Sequence, residues 1–174
     1  MKASQKLLAY KIYLTLAALF ITSLVVSNLI FQKFFSWDFF GIHTFEISVG
    51  ILPYPITFLV TDLISEIYGK KKANQVVIAG IFASFFSLLI IYVSDIAPAT
   101  SWSPVGDKLF TKVFGLSIIA VFSSMIAYLL AQFVDIKIYH YWKKVTKGKH
   151  LWLRNNFSTI TSQFLDTFSV LFLL

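Results

Sequence analysis

The chain has 174 residues, of which 57% are hydrophobic, 18% are aromatic and only 13% are charged, and its mean hydropathy is +0.77. Soluble domains carry about 25% charged residues, so this composition excludes an ordinary soluble domain and indicates an integral membrane protein. The net charge of +7 does not indicate nucleic-acid binding, because the basic residues lie in short clusters between apolar segments.

Five apolar segments approach the length of about 20 residues that a helix needs to cross a bilayer. They are residues 12–31, 47–68, 76–93, 113–134 and 157–174. Segments of this length do not alternate like the strands of a barrel, so they predict helices. We therefore expect an all-α integral membrane protein, a bundle of five transmembrane helices that forms a single transmembrane domain over residues 1–174.

The connections between the segments alternate between basic and mixed charge. The N-terminal tail and the second and fourth connections are basic, whereas the first and third connections contain both signs. Because cytoplasmic loops carry an excess of Lys and Arg, this alternation predicts a cytoplasmic N-terminus. The last segment ends without a polar flank, so we expect a sixth span in the complete protein.

The second apolar segment has two features that are unusual in a membrane helix. Proline removes a backbone donor, so Pro53 and Pro55 predict a break that leaves a half-helix downstream. Asp62 and Glu66 lie four residues apart and therefore share one face of that half-helix. Transporters place binding sites at broken helices, whereas a simple proline kink is the structural alternative.

Depth in the membrane distinguishes the acidic residues. A helix rises 1.5 Å per residue, so Asp62 lies about 12 Å from the boundary marked by Lys70, near the middle of the hydrocarbon layer. Asp166 lies about 18 Å from Arg154 and hence at a similar depth. A carboxylate is costly at this depth, so we predict that both face a substrate or a cavity.

Four charged residues nearer the boundary form a predicted gating or ion-pair group. Glu66 lies four residues before Lys70, so an ion pair within the helix is expected, and a substrate contact of Glu66 stays open. Asp135 lies two residues before Lys137 and is interpreted as a member of an interfacial ion pair, not as a ligand. Arg154 is placed in the same group.

Polar and aromatic residues complete the predicted substrate site. Gln132 and Gln163 lie near the carboxylates, and Tyr54 and Phe58 flank the proline break, where they would stack on a flat ligand. Hydrogen bonds between helices and ordinary core packing are the structural alternatives. Asn28 in the first segment is a weaker candidate. The predicted substrate-binding set, which we expect to converge on one central site, is Asp62, Asp166, Gln132, Gln163, Tyr54 and Phe58.

Catalytic and metal-binding motifs are absent from the sequence. It contains no HExxH motif, no Gly-x-Ser-x-Gly motif and no phosphate-binding glycine loop. There is no cysteine, and His43, His140 and His150 are isolated, so neither a disulfide nor a metal or other cofactor is predicted. Binding or passage of a small molecule is therefore favoured over catalysis.

Three sequence blocks follow one another along the chain. They are GILPYPITF at residues 50–58 with Asp62 and EIYGKK at residues 66–71, AQFVD at residues 131–135, and LRNNFST at residues 153–159 followed by Ser162-Gln163 and Asp166-Thr167. As an ordered set that covers most of the chain, they resemble the queuosine precursor transporter family, which is also described as vitamin-uptake-like transporters.

The resemblance implies a six-helix protein of the bacterial inner membrane that imports deazaguanine bases for queuosine synthesis in tRNA. The implied substrates are 7-cyano-7-deazaguanine and 7-aminomethyl-7-deazaguanine. A guanine-like edge offers two adjacent N–H donors, which one carboxylate can accept together. The implied partners are thus a deazapurine and the lipid bilayer, without nucleic acid, and homo-oligomerisation stays open.

Two other functions remain as alternatives. The first is a substrate-binding subunit of an ATP-driven vitamin-type importer, which co-purification with a nucleotide-hydrolysing partner would indicate. The second is a membrane scaffold or enzyme without transport activity. Deep carboxylates on separate helices argue against a plain scaffold, and the missing catalytic motifs argue against an enzyme.

Overall fold

The protein is described by a computed structural model that covers residues 3–115 and 118–173. Within these residues the α-helices are α1 (Ala3–Ile30), α2 (Tyr54–Tyr68), α3 (Lys70–Ile96), α4 (Asp107–Phe110), α5 (Ile118–Val145) and α6 (Leu151–Leu173). Strands β1 (Phe34–Phe39) and β2 (His43–Ser48) form one antiparallel hairpin. A 3-10 turn (Val49–Ile51) precedes α2, and a π-helical turn (Thr111–Gly115) follows α4. The predicted all-α membrane fold is confirmed, with the hairpin as an addition.

Three segments among the described residues are long and apolar enough to cross a membrane. They are Ser4–Ile30, Val49–Tyr68 and Lys70–Ile96. Helices α5 and α6 contain 28 and 23 residues, which exceeds the roughly 20 residues of a spanning helix. Crossing by these two helices, and hence the total of five, stays a prediction.

Helices α1, α2 and α3 pack against one another, while α5 packs on α2 and α3 and α6 packs mainly along α5. The hairpin lies where α1 ends and α2 begins, and we call this the hairpin end of the bundle. The opposite end, where α2 meets α3 and α5 meets α6, carries clustered lysines and is called the basic end. Large apolar side chains such as Phe82, Phe86 and Leu89 remain exposed on the helix surfaces, as contact with lipid requires.

The proline break before α2 is found where the sequence predicts it. Pro53 is the N-cap of α2 and Pro55 lies in its first turn, where the missing proline N–H has no helical partner to lose. Gly50 in the preceding 3-10 turn is buried, and its carbonyl oxygen accepts a hydrogen bond of 2.6 Å from the Ser27 hydroxyl of α1. A neighbouring helix thus satisfies the irregular backbone, as a broken membrane helix requires.

The β-hairpin differs from the sequence analysis, which treats this stretch as a plain connection. Its register pairs Phe39 with His43, so residues 40–42 form the loop. Gly41 has a φ of 70° and donates its N–H to the Asp38 carboxylate at 3.2 Å, and glycine adopts this left-handed conformation without strain. Two strands alone are only marginally stable, and here their ends are continuous with α1 and with the turn before α2.

Gly80 of α3 makes a close approach to α1. A Cβ atom on Gly80 would lie 2.6 Å from Cε1 of the fully buried Phe20 ring and 3.1 Å from Leu24. We expect Gly80→Leu to destabilise the bundle by about 1–3 kcal/mol through overpacking. Thermal unfolding in detergent would show this as a lower midpoint. The neighbouring variant Ala79→Leu on the exposed face is the control, and equal midpoints for the two variants would contradict the close packing.

Candidate functional site

A cavity of about 220 Å³ lies at the hairpin end of the bundle. It is a partly open cavity bordered by the end of α1, the 3-10 turn, the start of α2 and the facing parts of α5 and α6. Its polar and aromatic lining includes Asn28, Ser48, Tyr54, Ser124, Tyr128 and Asp166. Pockets for drug-sized ligands occupy about 300–1,000 Å³, so this cavity suits one smaller molecule.

Two polar atoms in the wall of this cavity have no hydrogen-bond partner among the described residues. The Tyr54 hydroxyl donates to Oδ2 of Asp166 and so links α2 to α6, but Oδ1 of Asp166 is buried and unpartnered. The amide nitrogen Nδ2 of Asn28 is likewise buried and unpartnered. A buried donor or acceptor without a partner costs about 1–3 kcal/mol. The cavity therefore offers one acceptor and one donor that a ligand can satisfy.

Three aromatic rings from α2 and α5 pack together next to the cavity. The ring centroids of Tyr54 and Tyr128 are 5.4 Å apart, and Phe58 lies 5.5 Å from Tyr54 and 6.0 Å from Tyr128. Both tyrosines line the cavity, whereas Phe58 is 1% exposed and belongs to the hydrophobic core. Of the two predicted stacking residues, Tyr54 is at the cavity and Phe58 supports it from behind.

The two predicted glutamines have different environments. Gln132 is fully buried, its Nε2 donates to the Tyr128 hydroxyl at 2.7 Å, and its Oε1 lies 3.3 Å from the Thr61 hydroxyl. Gln132 therefore fixes the orientation of Tyr128 without itself lining the cavity. Gln163 is half-buried on α6 and is not among the residues that line the cavity.

A second polar group lies where α2, α5 and α6 meet, nearer the basic end. Asp62, Asp135 and Arg154 are only 2%, 0% and 1% exposed. Asp62 and Asp135 are close enough to interact electrostatically, and the Ser162 hydroxyl donates to Oδ1 of Asp135 at 3.0 Å. Three helices therefore bury a cluster of charges away from the cavity.

Asp135 is not at a helix end beside Lys137, although its position relative to the membrane interface stays a prediction. Helix α5 continues to Val145 without interruption, so Asp135 lies well inside the helix and not at its end. Successive residues of a helix are about 100° apart around its axis, so Asp135 and Lys137 point to different faces. Lys137 is exposed, whereas Asp135 faces the bundle interior.

The predicted ion pair between Glu66 and Lys70 is also wrong. The Glu66 carboxylate pairs with Nζ of Lys143 at 2.8 Å and with Nη2 of Arg154 at 3.4 Å, and it accepts a hydrogen bond of 2.7 Å from Tyr139. Helix α2 ends before Gly69, whose φ of 84° redirects the chain, and Lys70 begins α3. The two residues thus belong to different helices, and the spacing rule for one helix does not apply.

The predicted central site is therefore divided in two. Asp166 and Tyr54 meet at the cavity, whereas Asp62 lies eight residues farther along α2, about 12 Å along the axis, beside Asp135. Gln132 lies between the two groups. Ser48 and Tyr128 also line the cavity but were not among the predicted site residues, and their hydroxyl groups within apolar segments were the available signal.

The sequence pattern of the family described as putative vitamin uptake transporters matches residues 48–174 of the chain. The chain belongs to this family. Helices α2, α3, α5 and α6 all lie within the matched residues, as do both polar groups apart from Asn28. The family's description names a transporter and not an enzyme, in agreement with the sequence analysis.

The chain is also similar to a protein of Bacillus subtilis (strain 168) that is described as a probable queuosine precursor transporter. The two sequences are 27% identical over 122 residues, which cover 70% of the chain and 53% of the relative. The chain thus spans about half the length of this relative. No solved structure matches the chain. The predicted resemblance to queuosine precursor transporters is confirmed at the level of the family.

Proposed function

We propose that the protein is an inner-membrane transporter that imports a flat, nitrogen-rich base, a queuosine precursor of the deazaguanine type, by way of the hairpin-end cavity. Family membership supports transport as the activity, and the name of the Bacillus subtilis relative supports the class of substrate. The proposal depends on one observation. A single cavity contains an unpartnered acceptor on Asp166 and an unpartnered donor on Asn28, beside the rings of Tyr54 and Tyr128.

The edge of a deazaguanine matches these groups. Its ring N–H and its exocyclic amino group are adjacent donors for the Asp166 carboxylate, and its carbonyl oxygen is an acceptor for the Asn28 amide. The tyrosine rings supply flat apolar surface against which an aromatic base packs. Among the described lining residues Asp166 is the one carboxylate. Once it accepts from the two N–H groups of the base, it is not available to pair with a cation elsewhere on the ligand. The neutral 7-cyano base is therefore the better fit, since a 7-aminomethyl cation would lack a counter-charge.

The predicted orientation agrees with import. A cytoplasmic N-terminus would place the end of α1, and with it the hairpin end and the cavity, toward the outside of the cell. Substrate would then enter the cavity from the outer side. The basic end, with its clustered lysines, would face the cytoplasm.

Ligand binding to the purified chain tests this proposal. We expect 7-cyano-7-deazaguanine to raise the midpoint of thermal unfolding saturably, 7-aminomethyl-7-deazaguanine to do so more weakly, and unrelated vitamins to have no effect. Stabilisation by the unrelated vitamins alone would overturn the proposed substrate class.

Uptake into vesicles that contain only this chain distinguishes a transporter that works alone from a subunit of an ATP-driven importer. Accumulation of the bound base would support a transporter that works alone. Binding without uptake, restored by adding a nucleotide-hydrolysing partner, would instead establish the substrate-binding subunit of an ATP-driven importer.

A further inference from the structure

The charged groups near the basic end are not used by the proposed substrate cavity. We call Asp62, Glu66, Asp135, Lys143 and Arg154 the inner charge cluster. Asp62, Asp135 and Arg154 are buried, whereas the side chains of Glu66 and Lys143 are 32% and 31% exposed. With every group ionised it contains three negative and two positive charges. An uncompensated charge is expensive in a site excluded from water. The addition of a single proton makes the cluster neutral.

The geometry shows which groups have room for that proton. Glu66 already has three donors, from Lys143, Arg154 and a tyrosine hydroxyl. Asp135 accepts from a serine hydroxyl through Oδ1 but has no partner at Oδ2, and both oxygens of Asp62 lack a partner among the described residues. Two facing carboxylates both accept, so they form a hydrogen bond only when one of them carries a proton.

Arg154 provides a second, independent observation. Its side chain is 1% exposed, and its Nε and Nη1 atoms have no hydrogen-bond partner in the part of the chain that the structure describes, although Nη2 contacts Glu66. The charged groups that act on Asp62 are Asp135 from α5 and Arg154 from α6. The free edge of the guanidinium can therefore compensate the carboxyl pair after its proton has left. When the proton is bound, the two carboxyl groups can hydrogen-bond to each other. When it has left, the Arg154 guanidinium compensates the added negative charge.

We propose that Asp62 and Asp135 bind one proton between them and that this proton is the ion that moves with the imported base. Proton binding is independent of the substrate, whereas the coupling rests on the proposed function. A proton needs no cavity of its own, which suits a pair of side chains that are almost completely buried.

Two connections link the proton pair to the cavity. Along α5, Gln132 lies beside the Thr61 hydroxyl, next to Asp62 in sequence, and donates to Tyr128 in the cavity wall. Along α6, Arg154 belongs to the inner charge cluster, and Asp166 on the same helix lies in the cavity wall. Loss of the proton increases the attraction between Arg154 and Asp62, which draws α6 toward α2. Helix α6 would thereby carry the change in charge to the substrate carboxylate.

Infrared spectroscopy of the purified chain tests proton binding without any substrate. At neutral pH we expect the wild-type protein to show the carbonyl stretching band of a protonated carboxyl group, and Asp62→Asn and Asp135→Asn each to lose it. Asp38→Asn, an exposed hairpin residue, is the control and should keep the band. A wild-type protein without the band, or an Asp62→Asn variant that retains it, would overturn the proton pair. If one variant fails to fold by size-exclusion chromatography, the other still decides.

Vesicles with imposed ion gradients test the coupling. For one proton moved per base, a gradient of one pH unit, acidic outside, should raise wild-type accumulation about tenfold. Asp62→Asn should still exchange labelled for unlabelled base but should not respond to the pH gradient. Accumulation driven by a sodium gradient at equal pH, or an Asp62→Asn variant that still follows the pH gradient, would overturn the proposal. Failure of the base to bind at all would overturn the proposed function and leave the infrared result standing.

Discussion

Replacement of Arg154 by leucine is expected to lower the free energy of unfolding by about 3–5 kcal/mol, because it leaves buried carboxylates without their counter-charge. The Arg154 side chain is 1% exposed and pairs with Glu66. Its guanidinium also stacks 5.4 Å from the centre of the Tyr139 ring. Thermal unfolding in detergent, followed by circular dichroism, measures the loss.

Lys143 gives the matched control for that experiment. It pairs with the same carboxylate at 2.8 Å, but its side chain is 31% exposed. Lys143→Ala should therefore cost only about 0–1 kcal/mol, as for other exposed ion pairs. Arg154→Lys should fall between the two, because it keeps the charge but loses the planar donor fork. Equal destabilisation by Arg154→Leu and Lys143→Ala would show that burial does not set the contribution of each charge.

Replacement of Asp166 by alanine is expected to weaken binding of 7-cyano-7-deazaguanine by about 30- to 4,000-fold, the equivalent of roughly 2–5 kcal/mol for a buried charged partner. The carboxylate is the proposed acceptor for both N–H groups of the base. Titration calorimetry on the purified chain gives the dissociation constants.

Two variants control for indirect effects of that change. Tyr54→Phe removes the hydroxyl that donates to Asp166 but keeps the ring, so we expect only about a tenfold loss or less, the value of one ordinary hydrogen bond. Asp38→Asn lies on the exposed hairpin and should bind like the wild type. Wild-type affinity in a folded Asp166→Ala protein would remove Asp166 from the site.

The break before α2 and the burial of its carboxylate were predictable from the sequence. Pro53 and Pro55 begin α2 because their chemistry permits few other positions in a helix. Asp62 is buried in the bundle, as expected for a carboxylate within an apolar segment. Both features depend on local chain chemistry.

How the helices are placed against one another was not predictable in the same way. Asp62 and Asp166 have similar predicted depths, yet Asp166 contacts Tyr54 at the cavity, whereas Asp62 lies about 12 Å farther along α2, near Asp135. Which faces meet depends on how α2, α5 and α6 pack, and no single segment encodes that. Asp135 illustrates the error, because its nearness to Lys137 in sequence suggested a shared surface that the helix separates.

The hairpin was missed for a different reason. Its strands carry large exposed side chains such as Trp37 and Phe39, so the stretch has none of the one-sided burial that identifies a strand in a soluble protein. Trp37 is of the residue type found where a membrane meets water. A pair of strands held by the helices on either side does not need a core of its own.

Two bonds at the base of this hairpin join its ends. The Ser48 hydroxyl donates to the Phe31 carbonyl oxygen at 2.5 Å, and the Val49 N–H donates to the Lys33 carbonyl oxygen at 2.7 Å. Phe31 and Ser48 also line the cavity. The base of the hairpin is therefore fixed to the end of α1 at the cavity wall, while its tip at Phe40 is 85% exposed. A displacement of the Phe31 backbone is thus expected to move the whole hairpin with it.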